Sequence, residues 1–272
     1  MTVLEKFSLD RDIAIITGGA GLLGRYHASA LLDVNCKVII IDNDENKLKD
    51  SIKYFSKNKN IFHYQLDITN EKDIEIFIKT ACKDVGDPSI LINNASIDPK
   101  VSSETVKNNM KLETFHIDQW NNEINVGLTG AFLCSKHFGS LMAIRKKGVI
   151  LNISSDLGLI APNQSIYKNN NDETLDFVKP VTYSVIKHGL IGLTKYLSTY
   201  WIKEGIRCNA LAPGGILNNQ NPDFVKNIEK LIPMNRMANI DEYQAAVIFL
   251  CSDASSYMNG SILSIDGGRT AW

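Results

Sequence analysis

The chain has 272 residues, 44% hydrophobic and 22% charged, a composition that suits one large soluble α/β domain with its own core. Its 29 Lys/Arg against 30 Asp/Glu leave a formal net charge of -1, which argues against a general binder of nucleic acid or anionic membrane. No apolar run approaches the roughly 20 residues needed to span a bilayer, and the first residues carry no signal-peptide core, so the expected home is the cytoplasm.

Apolar strand-like runs alternate with longer helix-like runs. Residues 13–16 read as a buried strand, followed by a glycine cluster and a helix through Leu31. Residues 37–41 are a second strand ending at Asp42, and the charged run 44–53 suits a solvated helix. Residues 61–66 predict a third strand and 71–82 a third helix; 89–92 predict a fourth strand that runs into Asn93-Asn94-Ala95. Residues 117–146 read as one long helix, 148–153 as a fifth strand, 180–203 as another helix, 206–211 as a sixth strand and 262–265 as a last short strand. Continuous apolar strands separated by helices predict a single-domain α/β fold, a doubly wound parallel sheet with helices on both faces. Two polar stretches, 96–116 with Pro99 and 161–180 with Pro162 and Pro180, predict long loops of the kind that carry function. The cysteines (Cys36, Cys82, Cys134, Cys208, Cys251) are scattered without C-x-x-C and read as reduced core thiols. The histidines (His27, His63, His116, His137, His188) lack metal-ligand spacing, so no metal is expected.

The run Thr17-Gly18-Gly19-Ala20-Gly21-Leu22-Leu23-Gly24 joins the first strand to the first helix. Glycines there permit a tight turn and close backbone approach to a pyrophosphate, and the helix N-terminus offers free amides and a partial positive charge. A plain turn is the competing reading. Asp42 ends the second strand 18 residues after Gly24, near the separation of about 20 expected for a carboxylate that accepts both ribose hydroxyls of an adenosine and repels a 2′-phosphate. NAD is therefore expected over NADP, with Arg25 the residue that argues the other way. Asp67, in Leu66-Asp67-Ile68, ends the third strand and is placed to meet the adenine edge, with Ile68 beside it. Asn93 and Ala95 end the fourth and are placed to line the dinucleotide. Asp and Asn also cap helices and turns; what counts is that these positions share one end of the sheet.

Tyr183 and Lys187, four apart in a helical segment, project from one face. An ammonium beside a phenol favours the phenolate, so the phenol pKa should fall from about 10 toward neutrality and let Tyr183 pass protons at physiological pH. Alone, such a pair is more often an ordinary solvated helix face.

With Ser154-Ser155, Pro213-Gly214 and Asp266-Gly267-Gly268 added, these runs stand in the order and rough spacing of the short-chain dehydrogenases/reductases, which the chain resembles from about residue 9 to its end. The resemblance implies a Rossmann fold with a seven-stranded parallel sheet, and hydride transfer to or from nicotinamide without a metal. It implies Tyr183 as general acid in reduction and general base in oxidation. Lys187 would lower the Tyr183 pKa and hold the nicotinamide ribose hydroxyls, and Ser155 would donate to the substrate oxygen. Ser154 reads as structural, since consecutive residues at a strand end point to opposite sides. Pro213-Gly214-Gly215-Ile216 would back the nicotinamide, with the Ile216 backbone near its carboxamide, and Asn218 stands where the family often has threonine. Residues 217–239 resemble the family's substrate lid. A closer likeness is carried by the glycine run, by Ser154-Ser155-Asp156-Leu157-Gly158, by Pro180-Val181-Thr182-Tyr183-Ser184-Val185-Ile186-Lys187-His188-Gly189, and by Ser252-Asp253-Ala254-Ser255-Ser256-Tyr257-Met258. It is to the flagellin modification protein A group, and implies a sugar or sugar-phosphate substrate in the making of surface glycans such as nonulosonic acids.

Four places depart from that pattern. Leu22 replaces the middle glycine of the loop, and Ser96 ends the usual Asn-Asn-Ala-Gly. Gly127 stands where the helical asparagine completing the family's tetrad is expected, and Asn125, two residues away, should face elsewhere. The water relay that asparagine supports must then use another group or another water chain. The fourth departure is an insertion at about 163–180 within the 28 positions from Ser155 to Tyr183. It is expected to fold over the mouth of the site, with Lys168, Asn169 and Asn170 meeting hydroxyls or a phosphate; an oligomer-facing loop is the competing reading. The runner-up enzyme is a 3-oxoacyl-carrier-protein reductase type, which would favour NADPH, and Gly127 keeps open a dinucleotide-binding protein without turnover. The apolar-striped helices at 117–146 and 180–203 suggest a homo-oligomer, tetramer or dimer, as in the family. A small-molecule substrate is the other expected partner.

Overall fold

A computed structural model describes residues 2–97, 110–167 and 178–272. Seven parallel strands form one sheet in the order β3-β2-β1-β4-β5-β6-β7. They are β1 (Ile13–Thr17), β2 (Lys37–Asp42), β3 (Ile61–Gln65), β4 (Ile90–Asn93), β5 (Gly148–Ile153), β6 (Ile206–Pro213) and β7 (Ile262–Ile265). Strand order reverses between β1 and β4, so β1 and β4 diverge to β2 and β5 and open a crevice beyond their carboxyl ends.

Side-chain alternation divides the core between two faces. Ala14, Ile16, Val38, Ile40, Ile92, Leu151, Ile153 and Leu211 pack on one face under α1 (Leu22–Asp33), α2 (Glu45–Tyr54) and α8 (Gln244–Cys251). Ile15, Ile39, Ile41, Leu91, Ile150 and Cys208 pack on the other under α3 (Glu71–Val85), α5 (Gly130–Arg145) and α6 (Val181–Tyr200). Both faces are covered, which is why the strands read as unbroken apolar runs rather than alternating ones. All five cysteines are buried and unpaired. No helix among the described residues is long and apolar enough to cross a membrane.

The predicted helix at 117–146 is α4 (Ile117–Ile124) and α5 joined by a π-helical turn, Asn125–Thr129, so it is continuous but not uniformly α-helical. Two glycines accompany the wide turn. A Cβ on Gly127 would lie 2.7 Å from the Ile186 side chain, and one on Gly130 would lie 2.7 Å from Ile68. Neighbouring apolar side chains thus press directly on this stretch of helix backbone. The helices α7 (Pro222–Glu229) and α8 have no counterpart among the predicted elements.

Candidate active site at the strand carboxyl ends

The glycine run turns at Gly18, whose φ of 58° is left-handed and whose missing Cβ would sit 2.9 Å from the Ala95 backbone. Gly24 brings α1 against the loop: a Cβ there would lie 2.6 Å from Gly18 O. Gly21 begins α1 without a side-chain cap, leaving its first amides for a ligand. Leu22 is the first helical residue, and its 40% exposed side chain shows why a glycine is not required there; Leu23 turns inward against the core. Beneath the loop, Thr17 Oγ1 accepts from Asn94 N and Ala95 N, both at 3.0 Å, while Asn94 Nδ2 donates to Thr17 O (3.0 Å) and Gly18 O (3.1 Å). Asn94 is therefore the clasp between β1 and β4, a role that the sequence reading did not assign to it.

Asp42 is buried at the end of β2. Its carboxylate accepts from Ala20 N at 3.2 Å and from Asp44 N at 3.1 Å, tying the glycine run to the start of α2. Asp67 is exposed after β3, and one oxygen accepts from Thr69 N (2.9 Å) and Thr69 Oγ1 (2.7 Å). A cleft of about 610 Å³ opens beside it, lined in part by Asn43, Gln65, Leu66 and Phe77. Ile68 is buried against the start of α5. These groups form a cradle suited to a dinucleotide: a close-approach loop, an uncapped helix N-terminus and a carboxylate at the end of the second strand. Asn93 does not contribute its side chain to it. Its amide nitrogen donates to Ser135 Oγ (3.0 Å) and Asn152 Oδ1 (2.8 Å) inside the core, and Asn152 Nδ2 continues the chain to Thr194 Oγ1 (2.8 Å) on α6. Only the Asn93 backbone is then left to line the crevice.

On the other side of the crevice, Lys187 is 5% exposed and its Nζ donates to Ile153 O at 2.9 Å, anchoring α6 to the end of β5. The same Nζ lies 5.5 Å from the Tyr183 ring centroid. Lys179, just before α6, places a second ammonium 3.8 Å from that centroid. Ser154 Oγ donates to Lys187 O at 2.8 Å, the structural use expected of it. Ser155 Oγ donates to Asp156 Oδ1 at 2.7 Å and accepts from Leu157 N at 3.2 Å. Pro213 is buried at the end of β6; Gly214 N donates to Ile265 O (2.8 Å), and Gly214 O accepts from the Tyr243 hydroxyl (3.1 Å). Ile216 pairs with Ala238 as an isolated parallel bridge, and its carbonyl accepts from Gln220 Nε2 at 2.7 Å. Asn218 N donates to Gln220 Oε1 at 2.6 Å, which makes this segment a local hydrogen-bonded turn.

Gly127 carries no side chain into this region, and the space an asparagine would need is occupied by the buried Ile186. One turn earlier, the buried Glu123 carboxylate accepts from Gln119 Nε2 (2.9 Å) and from the Thr182 hydroxyl at the first turn of α6. A carboxylate beside a helix N-terminus is favourably placed. Glu123, which holds Thr182, Asp156, which holds Ser155, and Lys179, beside the Tyr183 ring, were not among the predicted site residues. Only Asp156 had a local signal, its position next to Ser155.

The segment 163–180 enters as a 3-10 turn, Gln164–Tyr167, and the proposed contacts Lys168, Asn169 and Asn170 lie outside the described residues. Its base is pinned by Gln164, whose amide accepts from Lys179 N (2.9 Å) and donates to Lys179 O (3.2 Å). Ile166 joins Ile228, Ile232 and Met237 in a small apolar cluster, and Tyr167 stacks on Phe224 of α7 at 5.3 Å. Across α3 and α5, Glu71, Glu75 and His137 bring three ligand-type atoms within 4.8 Å, a grouping that histidine spacing did not predict. Glu71 is already engaged there by Lys136 and His137.

Residues 20–270 match the family model described as enoyl-(acyl carrier protein) reductase, a short-chain dehydrogenase/reductase type. The galactitol 2-dehydrogenase of Rhizobium johnstonii is 30% identical over 280 residues, covering 100% of both chains. A short-chain dehydrogenase from Leptospira borgpetersenii, solved with bound NAD+, superposes with a TM-score of 0.83 at 33% identity, covering 99% of this chain and 96% of that one. A gluconate 5-dehydrogenase from Burkholderia cenocepacia, solved with NADP and tartrate, superposes with a TM-score of 0.85 at 27% identity, covering 100% of both. A parallel seven-stranded sheet, a glycine run at its switch point and full-length relatives of one kind agree: the chain belongs to the short-chain dehydrogenase/reductase family and is an NAD(P)-dependent oxidoreductase.

Proposed function

We propose that the protein interconverts a carbinol and a ketone on a polyol or sugar-derived small molecule, with NAD preferred over NADP. The observation that supports this reading is Lys187 anchored on Ile153 O at the end of β5 with its Nζ 5.5 Å from the Tyr183 ring, and Ser155 standing two residues beyond Ile153 in the chain. When bound, the dinucleotide supplies the nicotinamide carbon that takes or gives hydride. Thr17, Gly18, Gly21, Leu22, Leu23 and Gly24 would hold its phosphates, Asp42 its adenosine ribose, and Asp67 and Ile68 its adenine edge. The Asn93 and Ala95 backbones, with Pro213, Gly214 and Ile216, would flank the rest. Tyr183 moves the proton at its phenolic oxygen, Lys187 favours the phenolate and binds ribose hydroxyls, and Ser155 hydrogen-bonds the reacting substrate oxygen. The NAD preference rests on the buried carboxylate of Asp42 at the end of β2.

The galactitol and gluconate dehydrogenases among its relatives support a polyhydroxylated substrate. The motif likeness to the flagellin modification protein A group extends that to a sugar or sugar-phosphate of surface-glycan synthesis, in the cytoplasm. The lid over 217–239 would close over this substrate together with Gln164–Tyr167 at the start of the insertion, since Tyr167 stacks on Phe224. Assembly into dimers or tetramers is supported by α6, which leaves Val185, Tyr196 and Tyr200 exposed and has open space around Gly192. A second reading, 3-oxoacyl-carrier-protein reduction, is supported by the 3-oxoacyl-[acyl-carrier-protein] reductase of Synechocystis, 28% identical over 96% of this chain. Protein mixed with NAD+ or NADP+ and a panel of alditols, aldonates and sugar phosphates, followed at the reduced-nicotinamide absorbance, tests the proposal. Turnover of a polyol with NAD+ supports it; NADPH-dependent reduction of an acetoacetyl thioester without any polyol activity overturns it in favour of the second reading.

A further inference from the structure

A buried ion pair lies directly behind Ser155. Asp156 and Arg269 are 3% and 6% exposed, and Arg269 Nη1 donates to Asp156 Oδ2 at 3.0 Å. The other carboxylate oxygen of Asp156 accepts from Ser155 Oγ at 2.7 Å and from Leu157 N at 2.8 Å. The chain of contacts thus runs from the C-terminal segment through Arg269 and Asp156 to the serine hydroxyl. At its far end Asp266 builds the turn that presents Arg269. Its side chain accepts from Ser264 Oγ (2.9 Å), Gly268 N (2.9 Å), Thr270 N (3.0 Å) and Thr270 Oγ1 (2.5 Å), and Gly267 and Gly268 take left-handed φ values of 65° and 90°. At its near end the 3-10 turn Asp156–Gly158 is seated on α6, because a Cβ on Gly158 would lie 2.8 Å from Lys187 O.

Burying two charges costs several kcal/mol per ion, and a matched buried pair often stabilises no better than apolar residues of the same volume. Stability is therefore a weak reason for this pair to stand beside a reactive hydroxyl. Its geometry has a specific electrostatic consequence. An unpaired Asp156 carboxylate touching Ser155 would oppose negative charge on a substrate oxygen or on the Tyr183 phenolate. Arg269 cancels that charge and weakens Asp156 as an acceptor, so Asp156 holds Ser155 Oγ in place in the free site and its single proton can turn to the substrate oxygen when substrate binds. We infer that Asp156 and Arg269 are positioning residues, which fix the Ser155 hydroxyl through a neutral pair and so make the C-terminal turn part of the active-site support. This inference rests on the proposed roles of Ser155 and Tyr183.

The test is a charge cycle read by pH. With NAD+ and galactitol as probes, Arg269→Met should lower kcat by about tenfold or more, leave the KM for galactitol and the Kd for NAD+ within about twofold, and move the limb of the kcat profile upward by about one pH unit. Arg269→Lys, which keeps the cation, should retain the parent limb. The double variant Asp156→Asn/Arg269→Met removes both charges and keeps an acceptor for Ser155, so its limb should return toward the parent. An unchanged kcat and limb in Arg269→Met overturns the inference, as does a double variant no closer to the parent than the single one. If the parent does not oxidise galactitol, that result counts against the proposed substrate class and leaves this inference to a second readout. The same variants are then titrated by tyrosinate absorbance with NAD+ bound, each corrected by its own Tyr183→Phe form. An upward displacement of the Tyr183 titration in Arg269→Met that is reversed in the double variant supports the pair's role; coincident titrations overturn it.

Discussion

The two sides of the crevice are built differently. The nucleotide side is held by side chains that clasp backbone: Thr17 and Asn94 lace β1 to β4 and Asp42 fixes Ala20 and Asp44, while Gly18 and Gly24 allow backbones to touch. The substrate side is held by a satellite apolar cluster of Ile166, Ile228, Ile232 and Met237, separate from both large cores, and by one aromatic stack. A ligand common to a whole family is met by rigid backbone. In the proposed reading, the part that must suit one substrate is carried by segments that lie outside the main core and are free to vary without disturbing it.

Perturbing the two sides should give separable results. The largest effect is expected where they meet: Tyr183→Phe should cut turnover by about 10²–10⁴ while leaving NAD+ affinity within a few-fold, measured by steady-state kinetics and by fluorescence titration. On the nucleotide side, His27 in α1 is buried with neither ring nitrogen hydrogen-bonded, and burial holds its pKa down to about 4 from 6.5. The unfolded chain binds that proton near 6.5 and the folded protein only near 4, so this stability is fully present above pH 6.5. It is lost as pH falls from 6.5 to about 4, by roughly 3 kcal/mol. Urea unfolding across that range should show the loss, and His27→Leu should flatten it. Asp42→Ala should weaken NAD+ binding by about ten- to a hundredfold and erase preference over NADP+, with the substrate KM nearly constant at saturating cofactor. The opposite split is expected for Phe224→Ala, which removes the stack on Tyr167: substrate KM should rise a few-fold and NAD+ affinity stay fixed. If both of these last variants change the same constant, the division between the two sides is wrong.

Gly127 sharpens the same contrast. Placing asparagine there forces a Cβ to within 2.7 Å of Ile186, so Gly127→Asn should destabilise the fold by about 1–3 kcal/mol in urea titrations, and Ile186→Ala in the same chain should relieve much of that.

Much of the architecture was legible because it is written locally. Apolar runs at 37–41 and 148–153, short and rich in β-branched residues, read as strands covered on both faces, and the glycine run marks the first strand–helix junction. Helix α8 escaped because its central residues Ala245-Ala246-Val247-Ile248-Phe249-Leu250 are apolar throughout and show no helical period. The π-turn at Asn125–Thr129 depends on Ile186 and Ile68 pressing on glycines, contacts made across 59 and 62 positions of chain. The same limit applies to the site. Spacing placed Tyr183 beside Lys187, but the turn of Asn93 into the core depends on its register with Asn152 on the neighbouring strand. Arg269 reaches Asp156 across 113 positions, a contact that no local pattern announces.

The central claim is that the phenol of Tyr183 and the hydroxyl of Ser155 face a bound nicotinamide ring across one substrate carbon. A crystal structure of the protein with NAD+ tests it most directly. The nicotinamide should lie against Pro213 and Gly214, its C4 atom close enough for a single carbinol to bridge it to both oxygens, with the adenosine ribose on Asp42. A ring bound elsewhere, or a Tyr183 hydroxyl turned away from C4 with the site fully loaded, would contradict it.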